Sequence, residues 1–194
     1  MKNVLILSRK GGVGKTLIAD SLAFKCEEAG IPYNFIDMDG QGSSIHETSL
    51  RDDAVIQIID VKGSLQDEML KWIENADFVI VPTLLNSSEQ KPLQSMIEIL
   101  EPFKGKKPTL YVFNRWTRYN STKEFISWFN QNYPDLKTAV ISDTTAFNQA
   151  CALGISIEEY QSSNIGCKQI DFIFSSVKYE LNLKDKRTNI FLED

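Results

Sequence analysis

The sequence predicts an α/β fold in one domain spanning residues 1–194, a mostly parallel sheet with helices on both faces. Three observations predict it. The apolar runs are short and lack the polar alternation of a half-exposed strand. Helix-period segments separate nearly every pair of them. A glycine-rich turn joins the first run to the first helix. Strands buried on both faces read as continuous apolar runs, and parallel neighbours need helical crossovers, which are right-handed. Ligands of such sheets sit at the carboxyl ends of the strands.

Each element follows from its residues. Val4 to Ser8 reads as a buried strand. After Lys15, the residues Ile18, Leu22, Cys26 and Ala29 recur at helical spacing, and Gly30 ends the helix. Tyr33 to Met38 and Val55 to Val61 are the second and third strands. Leu65, Met69, Trp72 and Ile73 mark a helix ending near Asn75. Phe78 to Val81 is the fourth strand, which Pro82 is expected to stop. A helix opens at Ser88 and carries Leu93, Ile97 and Leu100, with Pro92 near its start. Thr109 to Phe113 is the fifth strand. Ser121-Thr122-Lys123-Glu124 has the form of a capping box ahead of Phe125, Ile126 and Phe129. Thr138 to Ile141 is the sixth strand, and helices cover Thr145 to Leu153 and Asn164 to Leu181. Leu183 to Asp194 is expected to fray.

Composition excludes several classes. Hydrophobic residues make up 42% and charged residues 24% of the 194, the balance of a globular domain with a real core. No run approaches the ~20 apolar residues of a membrane helix, and the four-residue run Val4-Leu5-Ile6-Leu7 is too short for a signal peptide. Cys26, Cys151 and Cys167 are scattered and odd in number, which fits a reducing cytoplasm and neither a disulfide framework nor a metal pair. A single histidine, His46, argues against multi-histidine metal sites and Ser-His-Asp hydrolysis. The net charge is -5, yet Lys104, Lys106, Lys107, Arg115, Arg118 and Lys123 fall in one block with no acid between them. Tyr111, Phe113, Trp116 and Tyr119 interleave with them, and Lys178, Lys184, Lys186 and Arg187 form a second basic group. Two readings stand: contact with nucleic-acid phosphate, or a solvated rim around a strand whose aromatics reach the core.

The decisive segment is Ser8-Arg9-Lys10-Gly11-Gly12-Val13-Gly14-Lys15-Thr16, between a buried strand and a helix. Glycines there let backbone N–H groups converge on an anion, and the helix N-terminus adds its partial positive charge. In that arrangement Gly11, Gly12, Val13 and Gly14 cradle phosphate, Lys15 reaches the β- and γ-phosphates, and the Thr16 hydroxyl ligates Mg²⁺. These features predict a P-loop NTPase domain. Val55-Ile56-Gln57-Ile58-Ile59-Asp60 ends an apolar run in an acid, so Asp60 is either a Mg²⁺ residue or a strand-terminal helix cap.

An ordinary phosphate loop has glycine where Arg9 stands. Here Lys10 opens Lys-Gly-Gly-Val-Gly-Lys-Thr, which resembles the deviant Walker A motif of the ParA/MinD family of ATPases. That resemblance implies ATP and Mg²⁺ as ligands and an ATP-dependent homodimer in which Lys10 reaches the partner's nucleotide; a plain surface lysine is the alternative. Asp37-Met38-Asp39-Gly40-Gln41 resembles the family's Asp-x-Asp-Pro-Gln segment, with Gly40 in place of proline. It implies that Asp39 orients the attacking water and that Asp37 supports the Mg²⁺ region. Asn114, after Phe113, falls where the family reads the adenine edge; a strand-end turn residue is the alternative. Ile141-Ser142-Asp143 and Leu153-Gly154-Ile155-Ser156 are also similar to the family's closing segments, so the likeness covers most of the chain. The chain departs from the family between Asp39 and Asp60, only 21 positions, where relatives carry a longer insert. Nor does it show a helix-turn-helix ahead of the first strand or a basic amphipathic helix at its end, so a membrane role is not expected.

The resemblance implies a partition or positioning switch in a bacterial cytoplasm, associated with the nucleoid. ATP closes a dimer that binds DNA non-specifically, with Arg115, Arg118, Lys178 and Lys186 as candidate contacts. A centromere-binding or adaptor protein then stimulates hydrolysis. The alternatives are a conjugation accessory ATPase and a metabolic ligase or kinase of the dethiobiotin-synthetase type. A nitrogenase-iron-protein-like reductase is not expected, because no cysteine follows Asp60 within switch range.

Overall fold

The computed structural model describes residues 1–38, 44–61 and 66–184. Six strands form one all-parallel sheet in the order β2-β3-β1-β4-β5-β6. They are β1 (Lys2–Ile6), β2 (Tyr33–Asp37), β3 (Ile56–Asp60), β4 (Phe78–Leu84), β5 (Thr109–Trp116) and β6 (Thr138–Ser142). The helices are α1 (Lys15–Ala29), α2 (Gln66–Asn75), α3 (Gln90–Leu100), α4 (Asn120–Asn132), α5 (Thr145–Leu153), α6 (Ile157–Gln161) and α7 (Ile165–Leu181).

Period-two alternation along buried strands sorts the core into two layers. Val4, Ile6, Ile56, Ile58, Phe78, Ile80, Leu110 and Val112 face α1 and α7. Leu5, Ile59, Val79, Val81, Tyr111 and Phe113 face the residues of α2, α3 and α4. Tyr111 and Phe113 thus belong to the core; Phe113 stacks edge-on against Phe125 and Phe129, with ring centroids 5.9 and 4.9 Å apart. Of the aromatics that interleave with the basic block, Tyr119 is the exposed one.

Gly30 ends α1 as expected, at φ 65°, with Ile31 N–H donating to Cys26 O at 2.8 Å. Three elements depart from the sequence reading. β4 does not stop at Pro82 but runs to Leu84. Val79 N–H donates to Pro108 O on the β5 side, so the Pro82 nitrogen points toward β1, which ends at Ile6 and bonds β4 once more through Leu7 N–H to Ile80 O at 3.1 Å. The missing N–H therefore removes no ladder bond. The capping box is not formed: α4 begins at Asn120 behind Tyr119 with no side-chain cap. Thr122 instead packs inside, its hydroxyl 3.0 Å from that of Thr117. β5 continues past Phe113 through a register shift, and Arg115 takes φ 56° there. The α6 turn was not anticipated.

On the β2 edge the chain returns antiparallel, and Phe35 and Ser49 exchange both backbone hydrogen bonds, at 3.0 and 2.9 Å.

Candidate functional site

β1 leads through α1 to β2 on one side of the sheet, whereas α2 carries the chain from β3 across to β4 on the other. The crevice at the carboxyl end of β1 is therefore a topological switch point, the usual ligand position in such sheets. The glycine-rich turn occupies it. Gly12 and Gly14 take φ 73° and 99°, values that side chains disfavour. Val13 is fully buried and anchors the turn. Lys15 is 6% exposed, with Nζ 3.5 Å from Lys10 O, so its ammonium curls back over the loop.

Gly14 is also required by close approach. A Cβ built there would lie 2.1 Å from Asn114 Nδ2. Asn114, buried in the carboxyl half of β5, donates from Nδ2 to Val13 O at 2.9 Å and accepts from Arg115 N–H at 2.9 Å. It thus braces the loop while lining the same cavity. An amide side chain has two donors and two acceptor sites, so one of each is left for a ligand.

At the head of α1, the Thr16 hydroxyl donates to Asp60 Oδ2 at 2.6 Å, and Asp60 is wholly buried. A hydroxyl beside a carboxylate is a hard-oxygen donor pair of the kind Mg²⁺ takes. Among the described residues no group of three or more His, Cys, Asp or Glu could hold a metal. Asp37 stands beside Asp60 in the β2–β3 register, and its N–H donates to Thr48 Oγ1 at 3.2 Å.

Asp39 and Gly40 lie outside the described residues, but the chain on either side is held firmly. Met38 N–H donates to Asp60 O at 3.0 Å. Asp20, on α1, accepts from Ser44 Oγ at 2.8 Å and from Ile45 N–H and His46 N–H at 3.0 Å, and lies 2.8 Å from His46 Nδ1. Burial opposes the Asp20 charge, but the His46 side chain, the two backbone donors and Ser44 together hold its carboxyl below the usual value. Asp20 and His46 carried no sequence signal for this clamp.

Lys10 crosses to the neighbouring strand end. Its ammonium pairs with Glu89, which is 1% exposed, and lies 3.2 Å from Ser88 Oγ. Both belong to the single helical turn Ser87–Glu89 between β4 and α3. The sequence marks Ser88 only as the start of a helix and gives no sign of Glu89.

A cavity of about 580 Å³ runs from Gly12, Lys15 and Thr16 past Asn114 to Asp143 and Phe147, a size suited to a drug-sized or nucleotide ligand. Lys25 lines its far end and pairs with Glu28 and Asp171, both at 2.7 Å, which ties α1 to α7.

The candidate DNA contacts are not gathered on one face. Arg115 lies in the carboxyl half of β5 and Arg118 just beyond the strand, whereas Lys104, Lys106 and Lys107 precede its first residue. The extended chain between Lys107 and Arg115 separates them by about 25 Å. Lys178 sits 5.1 Å above the Phe174 ring, two residues from Glu180, whose partner Lys137 precedes β6. That is the amino edge of the sheet, opposite Arg115. Lys186 lies outside the described residues.

The fold has relatives among solved structures. The ATP complex of a substituted form of Cyanothece McdA superposes with a TM-score of 0.72 at 17% identity, covering 95% of this chain and 97% of that one. The Pyrococcus horikoshii OT3 septum site-determining protein MinD with Mg-ADP gives 0.68 at 16%, covering 97% and 98%. A putative plasmid partition protein of Borrelia burgdorferi B31 bound to AMPPNP gives 0.66 at 16%, covering 91% and 99%. The sequence has no match among curated proteins. Residues 4–157 match the CobQ/CobB/MinD/ParA nucleotide binding domain, and the chain belongs to that family.

Proposed function

We propose that the protein is a Mg²⁺-dependent ATP hydrolase that works as a dimerising switch in partition or positioning of a cargo. The observation that carries this reading is the phosphate loop at the sheet's switch point, with Lys15 folded over it and Thr16 bonded to Asp60. Similar folds solved with ATP, Mg-ADP and AMPPNP support an adenine nucleotide as the ligand.

In the mechanism, the loop N–H groups and Lys15 bind the β- and γ-phosphates, and the α1 N-terminus favours their charge. Asn114 orients the base while keeping its hold on Val13 O. Thr16 and Asp60, with Asp37 beside them, would hold Mg²⁺, which when bound would supply positive charge against the phosphate oxygens. Asp39 accepts a hydrogen bond from the attacking water and aligns it with the γ-phosphorus. Lys10 serves the nucleotide of a second copy, which makes the dimer depend on the γ-phosphate and lets hydrolysis open it. DNA is the non-specific track of the dimer, contacted through Arg115 and Arg118, and a centromere-binding or adaptor protein stimulates turnover. Among the described residues no helix is long and apolar enough to cross a membrane.

Light scattering and DNA retention with ADP, with a non-hydrolysable ATP analogue and with no nucleotide test the reading together. A dimer and DNA retention only with the ATP analogue are expected. Identical behaviour in all three conditions would overturn it, and phosphate transfer to a metabolite instead of water would point to a kinase or ligase.

A further inference from the structure

The cavity beside the phosphate loop has one wall that neither the loop nor β5 builds. It is the turn Ser142-Asp143-Thr144 at the end of β6, followed by Phe147 on α5. β6 is the last strand of the sheet, so no further strand braces this turn. β5 gives it one bond, Asp143 N–H to Trp116 O at 2.9 Å. Its other ties come from the first two turns of α7. Gln169 accepts from Ser142 N–H through Oε1 at 2.8 Å and donates from Nε2 to Ser142 Oγ at 2.9 Å. Asn164, the N-cap of α7, donates from Nδ2 to Thr144 Oγ1 at 3.4 Å. Thr144 is itself the N-cap of α5 and accepts from Ala146 N–H at 3.3 Å. Gly166 stands directly behind the Phe147 ring: a Cβ built on it would lie 2.8 Å from Phe147 Cζ. Three residues of one helix thus back three residues of the cavity wall, and none of the three lines the cavity itself.

We propose that Gln169 is a positioning residue for the base of the bound nucleotide, an inference that rests on the nucleotide reading above. A triphosphate gripped by the loop leaves the rest of the nucleotide to run along the cavity, past Asn114 and against Ser142, Asp143 and Phe147. Gln169 grips the backbone N–H and the hydroxyl of the same residue, so Ser142 cannot shift without losing two bonds at once. A wall fixed before the ligand arrives needs no ordering when it binds. Gln169 therefore adds to the affinity for the nucleoside part and leaves the phosphates, at the other end of the cavity, to the loop and Lys15. The chemistry also says which substitution the site tolerates. A glutamate carboxylate can accept from Ser142 N–H, and the Ser142 hydroxyl, which donates as readily as it accepts, can turn to donate to it. A leucine side chain can do neither.

The test loads the full chain and its Gln169→Leu, Gln169→Ala and Gln169→Glu variants with a fluorescent ADP analogue at fixed Mg²⁺. The analogue is then displaced with ATP or with inorganic tripolyphosphate. Tripolyphosphate engages the loop but carries no base, so the ratio of the two affinities reports the base half alone. A general loosening of the fold would lower both. Gln169→Leu and Gln169→Ala should weaken ATP by about fivefold and change tripolyphosphate by less than about twofold. Gln169→Glu should restore ATP to within about twofold of the parent. Unchanged ATP affinity in Gln169→Leu and Gln169→Ala, an equal loss for tripolyphosphate, or a Gln169→Glu variant as weak as Gln169→Leu each overturns the proposal. If Gln169→Leu does not fold, Gln169→Ala carries the comparison. The nucleotide reading fails separately, in the parent chain: if that chain holds ATP no more tightly than tripolyphosphate, the cavity has no base site and the role of Gln169 falls with it.

Discussion

Replacing Gly14 by alanine tests how tightly the loop and Asn114 are locked. Gly14 sits at φ 99°, where a side chain costs about 1–2 kcal/mol. The added methyl would also fall 2.1 Å from Asn114 Nδ2 and 3.2 Å from its Cγ, too close for either to stay. Asn114 must swing out, losing its bond to Val13 O, which costs about 1 kcal/mol more. The expected total is about 2–3 kcal/mol, a fall in Tm of about 4–12 °C for a chain of this size. The two costs separate in a double-mutant cycle. With Asn114→Ala already in place, the clash is gone and Gly14→Ala should cost only the backbone strain, about 1–2 kcal/mol. Urea unfolding of the four proteins measures the cycle. If the two substitutions add without coupling, the steric account of Gly14 is wrong.

Other expectations are simpler to state. Lys15→Ala should abolish nucleotide binding in a fluorescent-nucleotide titration, while far-UV circular dichroism stays unchanged. Asp20→Asn should flatten the acid limb of stability: a carboxyl held below the ordinary 3.8 contributes stability above that pH and loses it as pH falls toward its folded value. An equally steep urea midpoint between pH 5 and 3 in both proteins would count against the clamp. In thiol titration at pH 8, exposed Cys151 should react first. Cys26 is pushed up to about 12, by burial and then by Glu27, and Cys167 to about 11 by burial and Glu158, so both should lag. Because Cys151 lines the cavity, bound ATP should slow its reaction. Arg115 and Arg118, replaced together by alanine, should lower the slope of log affinity for DNA against log salt by about 1.8 if both contact phosphate.

The strands and helices were readable because each apolar run carries its own period and each turn its own glycine. Gly30 announced the end of α1, and the glycines between Ser8 and Thr16 announced the turn that joins β1 to α1. What was not readable depends on neighbours. Pro82 looks like a strand breaker until the sheet shows β1 leaving beside it. Ser121 looks like a helix cap until Thr122 finds Thr117. The basic block is contiguous only in sequence, because β5 carries its two halves to opposite ends of the sheet. Lys10 was legible, yet its companion Glu89 was not: 79 positions separate them, and only the adjacency of β1 and β4 joins them.

The paired backbone bonds between Phe35 and Ser49 matter for how copies of the chain gather. A naked outer strand invites edge-to-edge growth, the route to fibres. On this flank a short return of the chain works as a stopper, and a newcomer strand would first have to pry Ser49 loose. Growth of any larger assembly is thereby steered away from that margin.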